Sequence, residues 1–216
     1  MLPEYKTVLK QATAEFEEKK SRFIADVMPV TGEEQAVEFI NEQKARYWNA
    51  THNVYAYSIN KEALIQRYSD DGEPSGTAGM PALEVIKRMG LQDVVVVVTR
   101  YFGGTLLGAS GLIRAYSKSA ALGLEAAEIV TRKLCAKVNI IIEYTLFGKL
   151  QNMLIKNNNI IKDIKYGQDV ELCVLVEAGS EDGLIKDIAE NSNGRAIADT
   201  GEKAYITLGS DGRLII

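Results

Sequence analysis

The chain is most constrained by residues 94–111, VVVVVTRYFGGTLLGASG. Five consecutive valines show no alternation, so both faces of this strand must be covered by other parts of the chain. The run passes through Thr99-Arg100-Tyr101-Phe102 into a glycine-spaced turn, Gly103, Gly104, Gly108 and Gly111. A long helix over 107–127 follows, with Arg114 and Lys118 one turn apart on the same face. Its Ala109, Ala115, Ala120, Ala121 and Gly123 are small, which lets it lie close on a sheet. A buried strand turning directly into a long helix dictates a sheet with helices laid against it. It also puts free helix N–H groups and partial positive charge at the end of the strand.

The rest of the N-terminal half supplies partners for that strand. Residues 5–17 read as a first strand, 17–21 as a charged turn and 22–28 as a second strand, closed by Pro29. Thr31 is placed to cap a helix through about Tyr47, with Glu33 and Glu34 favoured in its first turn and Val37, Ile40 and Lys44 on one face. Tyr47 and Trp48 read as core-facing residues at the end of this helix. Residues 53–59 and 64–68 are two more strands. An acidic loop with Asp70, Asp71 and Glu73 follows, then a helix over 82–89 with Pro81 at its start and Gly90 at its end. The pattern restarts at Leu134 as strand, helix, strand, strand, helix, strand (134–145, 146–157, 160–166, 170–177, 181–191, 203–208), the order of a ferredoxin-like βαββαβ domain. Two domains are therefore expected, 1–133 and 134–216. The fold class is α+β: an N-terminal two-layer α/β sandwich followed by the ferredoxin-like domain.

Composition limits the function classes. Net charge is −4, from 25 basic and 29 acidic residues. Cut at Lys133, the chain carries 16 basic and 17 acidic residues before and 9 and 12 after, so neither half is built to coat duplex DNA. A local basic patch stays open. Cys135 and Cys173 belong to no CxxC pair and suit a reducing compartment as small buried strand residues. The absence of a membrane-length apolar run and of a signal-like N-terminus gives a cytoplasmic expectation.

The motifs each carry two readings. Gly103 to Ser110 has the spacing of a phosphate-binding P-loop, but Ala109 stands where the lysine belongs, so the β/γ-phosphate contact is lost and nucleotide hydrolysis by this loop is not expected. The turn is either a tight strand-to-helix connection or an anion site formed by Gly103, Gly104, Gly108, Ser110 and Gly111. Arg100 either contacts that anion or pairs internally with Asp70, Asp71 or Glu73, because a charge ending a buried strand requires a partner. The three carboxylates form a structural or partner-contact loop, or they ligate a hard cation. His52 is the sole histidine: a hydrogen-bonding brace or a general base, with no multi-histidine metal site possible.

SDDGEPSGTAG at 69–79, the segment 94–120, RFIADV at 22–27 and ATHNVYAY at 50–57 together resemble the YigZ and IMPACT family. The resemblance spans about residues 5–130 (UPF0029), and 134–216 is similar to the DUF1949-type domain of bacterial members. It implies an N-terminal fold shared with translation proteins. It also implies a regulatory role, since the eukaryotic members act on the amino-acid-starvation kinase pathway by competing for a large activator protein. A stress-response regulator docking on RNA, the ribosome or a translation-related protein is the leading expectation, with Arg100, the glycine turn, Arg114 and Lys118 as its surface and Asp70, Asp71 and Glu73 as a polar rim. A metal-dependent enzyme on a phosphorylated or anionic small molecule and a protein-only adaptor are the alternatives. No catalytic residue, resident metal, cofactor, membrane or DNA partner is expected, and the oligomeric state is left open.

Overall fold

The computed structural model describes residues 2–60 and 63–215. Two compact units divide the chain, one built on Tyr5–Thr131 and one on Arg132–Thr207.

In the first unit, β1 (Glu4–Val8) precedes a five-stranded antiparallel sheet of β2 (Ala12–Glu18), β3 (Ser21–Pro29), β4 (His52–Asn60), β5 (Leu64–Ser69) and β6 (Val94–Tyr101). The sheet order is β2-β3-β6-β4-β5, so the valine strand is central. Val94 to Val98 are all fully buried. Val94, Val96 and Val98 face α2 (Gly79–Arg88) and α3 (Gly108–Ala126), while Val95 and Val97 face α1 (Glu33–Arg46). The α2/α3 layer is the expected sandwich, and α1 adds cover on the opposite face. Gly123 is required by close approach: a Cβ there would stand 2.8 Å from the Ala25 Cβ.

Local details depart from the sequence reading where tertiary contacts decide. Residues 5–17 are not one strand. The Leu9 and Lys10 amides turn away to donate to the Ala127 and Glu128 carbonyls at the open end of α3, which breaks the strand between Val8 and Ala12. Thr31 does not cap α1. Gly32 is the N-cap, and the Gln35 side chain reaches back to accept the Thr31 N–H at 2.9 Å. The buried stripe of α1 is Ala36, Phe39, Ile40 and Gln43, leaving Val37 outward. Trp48 is 81% exposed, contrary to its reading as core, because α1 has ended and its backbone has turned by Tyr47.

The second unit is built on β7 (Ile129–Ile142) from Arg132 onward, α4 (Tyr144–Lys156), β8 (Ile160–Tyr166), β9 (Val170–Glu177), α5 (Glu181–Ser192), β10 (Ile197–Leu208) up to Thr207, and β11 (Leu214–Ile215). The order β10-β7-β9-β8 is that of a ferredoxin-like sheet. Alternate residues of β7 and β9, such as Val138, Ile140, Leu172 and Val174, pack with Leu150, Leu154, Leu184 and Ile188 of the helices. β10 begins six residues before the expected 203, with Gly201 allowing backbone approach to Lys137. Cys135 is buried and Cys173 half-buried, and both are free thiols. Burial raises the Cys135 thiol pKa and keeps it protonated. Among the described residues no helix is long and apolar enough to cross a membrane.

One buried acid sets a pH dependence. Asp26 on β3 is fully buried, accepts from Thr13 Oγ1 at 2.6 Å and lies 3.9 Å from Arg46 Nη1. Burial raises its carboxyl pKa despite these contacts. A carboxyl raised on folding holds its proton more tightly in the native state. Its penalty is therefore absent below the unfolded value of about 3.9 and grows as pH rises through the window up to the folded value. Asp26→Asn should raise the Tm at pH 7 by about 2–4 °C and give no gain near pH 3.5. Thermal melts across that range check this; an equal gain at both ends would contradict it.

Candidate anion-binding site

The end of the first sheet gathers the C-terminus of β6, the N-termini of β3 and β4, the 70–78 loop and the entry to α3. Arg100 pairs in register with Phe23 on one side and His52 on the other. The odd–even alternation of β6 turns its side chain toward α3. There it is buried, 5% exposed, and its Nη1 donates to Glu73 Oε1 at 2.6 Å. Tyr116 of α3 donates to the same oxygen at 2.7 Å. Burial and the Glu73 carboxylate push the Tyr116 hydroxyl pKa far above the ordinary phenol value, so it remains a donor. Arg100 Nη2 reaches Ser21 Oγ at 3.3 Å, and the guanidinium lies 5.5 Å from the ring centres of both Phe23 and Phe102. Of the two readings open for Arg100, an external anion or an internal partner, the chain's own Glu73 carboxylate takes the place.

The acidic loop is consumed inward as well. Asp70 accepts the amides of Gly76, Ala78 and Gly79 at 2.8, 3.0 and 2.8 Å, capping α2 from a distance and starting it earlier than expected. Asp71, at φ +45°, accepts the Asn53 amide at 2.6 Å and the Lys44 ammonium at 2.9 Å, tying β4 to α1. Glu73 faces Arg100. The three carboxylates point to three different partners, so neither the shared cation site nor the polar rim forms. Among the described residues no group of three His, Cys, Asp or Glu is placed to hold a metal ion.

His52 sits where a brace belongs. Its Nδ1 lies 2.8 Å from the Asp71 carbonyl, which can only accept, so Nδ1 carries the proton. Its Nε2 faces Glu73 at 3.8 Å. Gly103 is not open to a ligand either: a Cβ there would fall 2.0 Å from the Lys20 carbonyl carbon. Its glycine serves backbone packing, and its amide donates to Ser21 Oγ at 3.2 Å.

The mouth of α3 remains open. Gly104 and Gly108, at φ +82° and +70°, and Ser110 are exposed, and no side chain caps the helix. A cavity of about 210 Å³ opens beside it, lined by Phe16 and by Gly111, Arg114 and Lys118 of α3. Lys19 and Glu18, from the β2–β3 turn, also line it. In sequence Lys19 is only part of a charged turn; nothing in the local pattern shows that β2 runs alongside α3. Three cations thus meet one carboxylate. Arg114 and Lys19 have no ion-pair partner among the described residues. Lys118 Nζ sits 4.7 Å from the Phe16 ring centre. Phe23 stacks on the same ring at 5.1 Å, so Phe16 is already engaged within the fold and the cavity offers charge rather than a free stacking surface.

The buried pair supports a stability prediction. Glu73→Ala strands a buried guanidinium and should cost about 3–5 kcal/mol. Tyr116→Phe removes one charge-assisted hydrogen bond and should cost about 1.5–3 kcal/mol. Urea melts of the single and double variants should show strongly non-additive losses; simple additivity would contradict a shared network.

Comparison with known proteins agrees with this architecture. Residues 19–124 match the Impact N-terminal domain and residues 140–195 match a domain of unknown function, DUF1949. The IMPACT family member YvyE of Bacillus subtilis is 44% identical over 206 residues, covering 95% of each chain. Protein IMPACT of Xenopus laevis is 36% identical over 96 residues, 42% of this chain and 30% of that protein. A crystal structure of a hypothetical protein aligns with 94% of this chain and 99% of its own, at 27% identity and a TM-score of 0.59. With a relative this similar over nearly its whole length, the chain belongs to the IMPACT family.

Proposed function

We propose that this protein is a translation-associated regulator that works in the cytoplasm by docking on RNA through the mouth of α3. One observation carries the reading: Arg114, Lys118 and Lys19 line a single cavity along the first three turns of α3, which has no side-chain cap, and among the described residues no carboxylate is paired with them, although Glu18 lines the same cavity. Guanidinium and free helix amides suit phosphate oxygens. Contacts of this kind position a nucleic acid without reading its sequence. Phe102 and Leu106, 45% and 82% exposed in the turn before α3, offer apolar surface to unpaired bases. The translation link comes from the resemblance to the eukaryotic regulators of the starvation pathway. A ribosome-bound or factor-bound RNA satisfies the same chemistry.

Two alternatives make different demands. An enzyme acting on a small anion would need free carboxylates or a base at the cavity, whereas Asp70, Asp71 and Glu73 are engaged elsewhere. A protein-only adaptor is favoured by the exposure of Leu106, and would keep its partner after nuclease treatment.

Arg114→Ala should weaken binding to a labelled single-stranded RNA about tenfold, the loss of roughly one charge-assisted hydrogen bond. The slope of log affinity against log salt should fall by about 0.7. Fluorescence anisotropy at several salt concentrations checks both; unchanged affinity and slope would count against the site.

A further inference from the structure

We infer that the Lys19-Lys20 hairpin turn is a second phosphate-contacting element of this surface, retained for binding at the expense of backbone conformation. This rests on the RNA-docking reading above and extends it to two residues outside α3.

The β2–β3 register closes at Glu18 opposite Ser21, so Lys19 and Lys20 alone make the turn. Both have positive φ, 47° and 65°. A two-residue turn with positive φ at both positions is the type that Asn-Gly forms readily. Lysine pays a steric penalty there, because its Cβ crowds the following carbonyl. Two consecutive lysines are thus the wrong residues for the turn and the right ones for an anion.

The surroundings hold the turn against α3. The Gly103 backbone lies directly on Lys20 and Ser21, too close for any side chain. The Gly103 amide and the Arg100 guanidinium both donate to Ser21 Oγ. The turn is therefore anchored to the strand-to-helix connection that opens the cavity. Lys19 lines that cavity, Lys20 stands exposed next to it, and neither has an ion-pair partner among the described residues. Glu17 and Glu18 flank the pair, and Glu18 lines the same cavity, but among the described residues neither forms an ion pair with either lysine. Cations on two separate elements, a rigid turn and a helix, suit a strand of successive phosphates better than one isolated anion. The ligand class this favours is the phosphodiester backbone of single-stranded RNA.

Two double variants of the full chain separate charge from conformation. K19N/K20G removes both charges and supplies the residues the turn prefers; K19Q/K20Q removes both charges and keeps the unfavourable backbone. Binding is read by anisotropy with a labelled oligouridylate, and stability by thermal melting. K19N/K20G should raise the Tm by about 3–6 °C, while K19Q/K20Q stays within about 1 °C of the parent. Both should weaken RNA binding about tenfold or more near 0.1 M salt and lower the salt slope by about 1.4. Unchanged binding in either variant, or a Tm of K19N/K20G no higher than the parent, overturns the inference. If Arg114→Ala weakens binding and the lysine variants do not, the turn is excluded and the docking reading stands. If the parent chain does not bind oligouridylate, both fall. Equally tight binding of polyglutamate would replace RNA with an acidic protein segment and also overturn the inference.

Discussion

A single charge at the end of the central strand determines how this end of the molecule is built. Arg100 cannot leave the sheet, since Phe23 and His52 flank it in register. A buried guanidinium is untenable without a carboxylate. Glu73 answers that demand from a loop far away in the sequence, and Tyr116 and Ser21 satisfy other parts of the pair. Replacing such a pair with apolar residues is often no loss in stability, but removing one partner is costly. Its value here is positional: it draws the 70–78 loop under α3 and fixes that helix against the sheet.

The same inward pull sorts the charges. Once Glu73 is inside, Asp70 is at the amides that start α2 and Asp71 is between β4 and Lys44. The loop's three negative charges are then used within the fold. Lys19, Arg114 and Lys118 are left lining a cavity along the start of α3, with Glu18 the one carboxylate among its described lining residues. A protein of net charge −4 thereby keeps a locally cationic opening. Engagement of the acids within the fold, rather than an excess of bases, accompanies it.

Much of the fold is legible in the sequence because it rests on pattern. Five valines without alternation demand a central strand, and the restart at Leu134 orders a ferredoxin-like unit. The site is less legible because spacing does not show which charges are already taken. Arg100 and Arg114 look alike in sequence, yet one is locked inside and the other faces out. The roles of Asp70, Asp71 and Glu73 depend on amides and cations brought in from β4, α1 and β6. Gly103 reads as ligand access but is explained by Lys20 and Ser21 lying against it. Lys19 becomes part of the opening only because β2 packs along α3 through Phe16 and Lys118. Each of these is a long-range contact with no local signal.

On this account RNA meets the α3 mouth and not the acidic loop, whose carboxylates are engaged within the fold. The most direct measurement follows the backbone amides of isotopically labelled full-length protein by NMR as short single-stranded RNA is added. Gly104, Gly108 to Gly111 and the Lys19 turn should shift first and in proportion to occupancy, while Asp70, Asp71 and Glu73 hold their positions. Shifts confined to the outer face of α1 or to the 132–207 unit, with the α3 mouth silent, would contradict it.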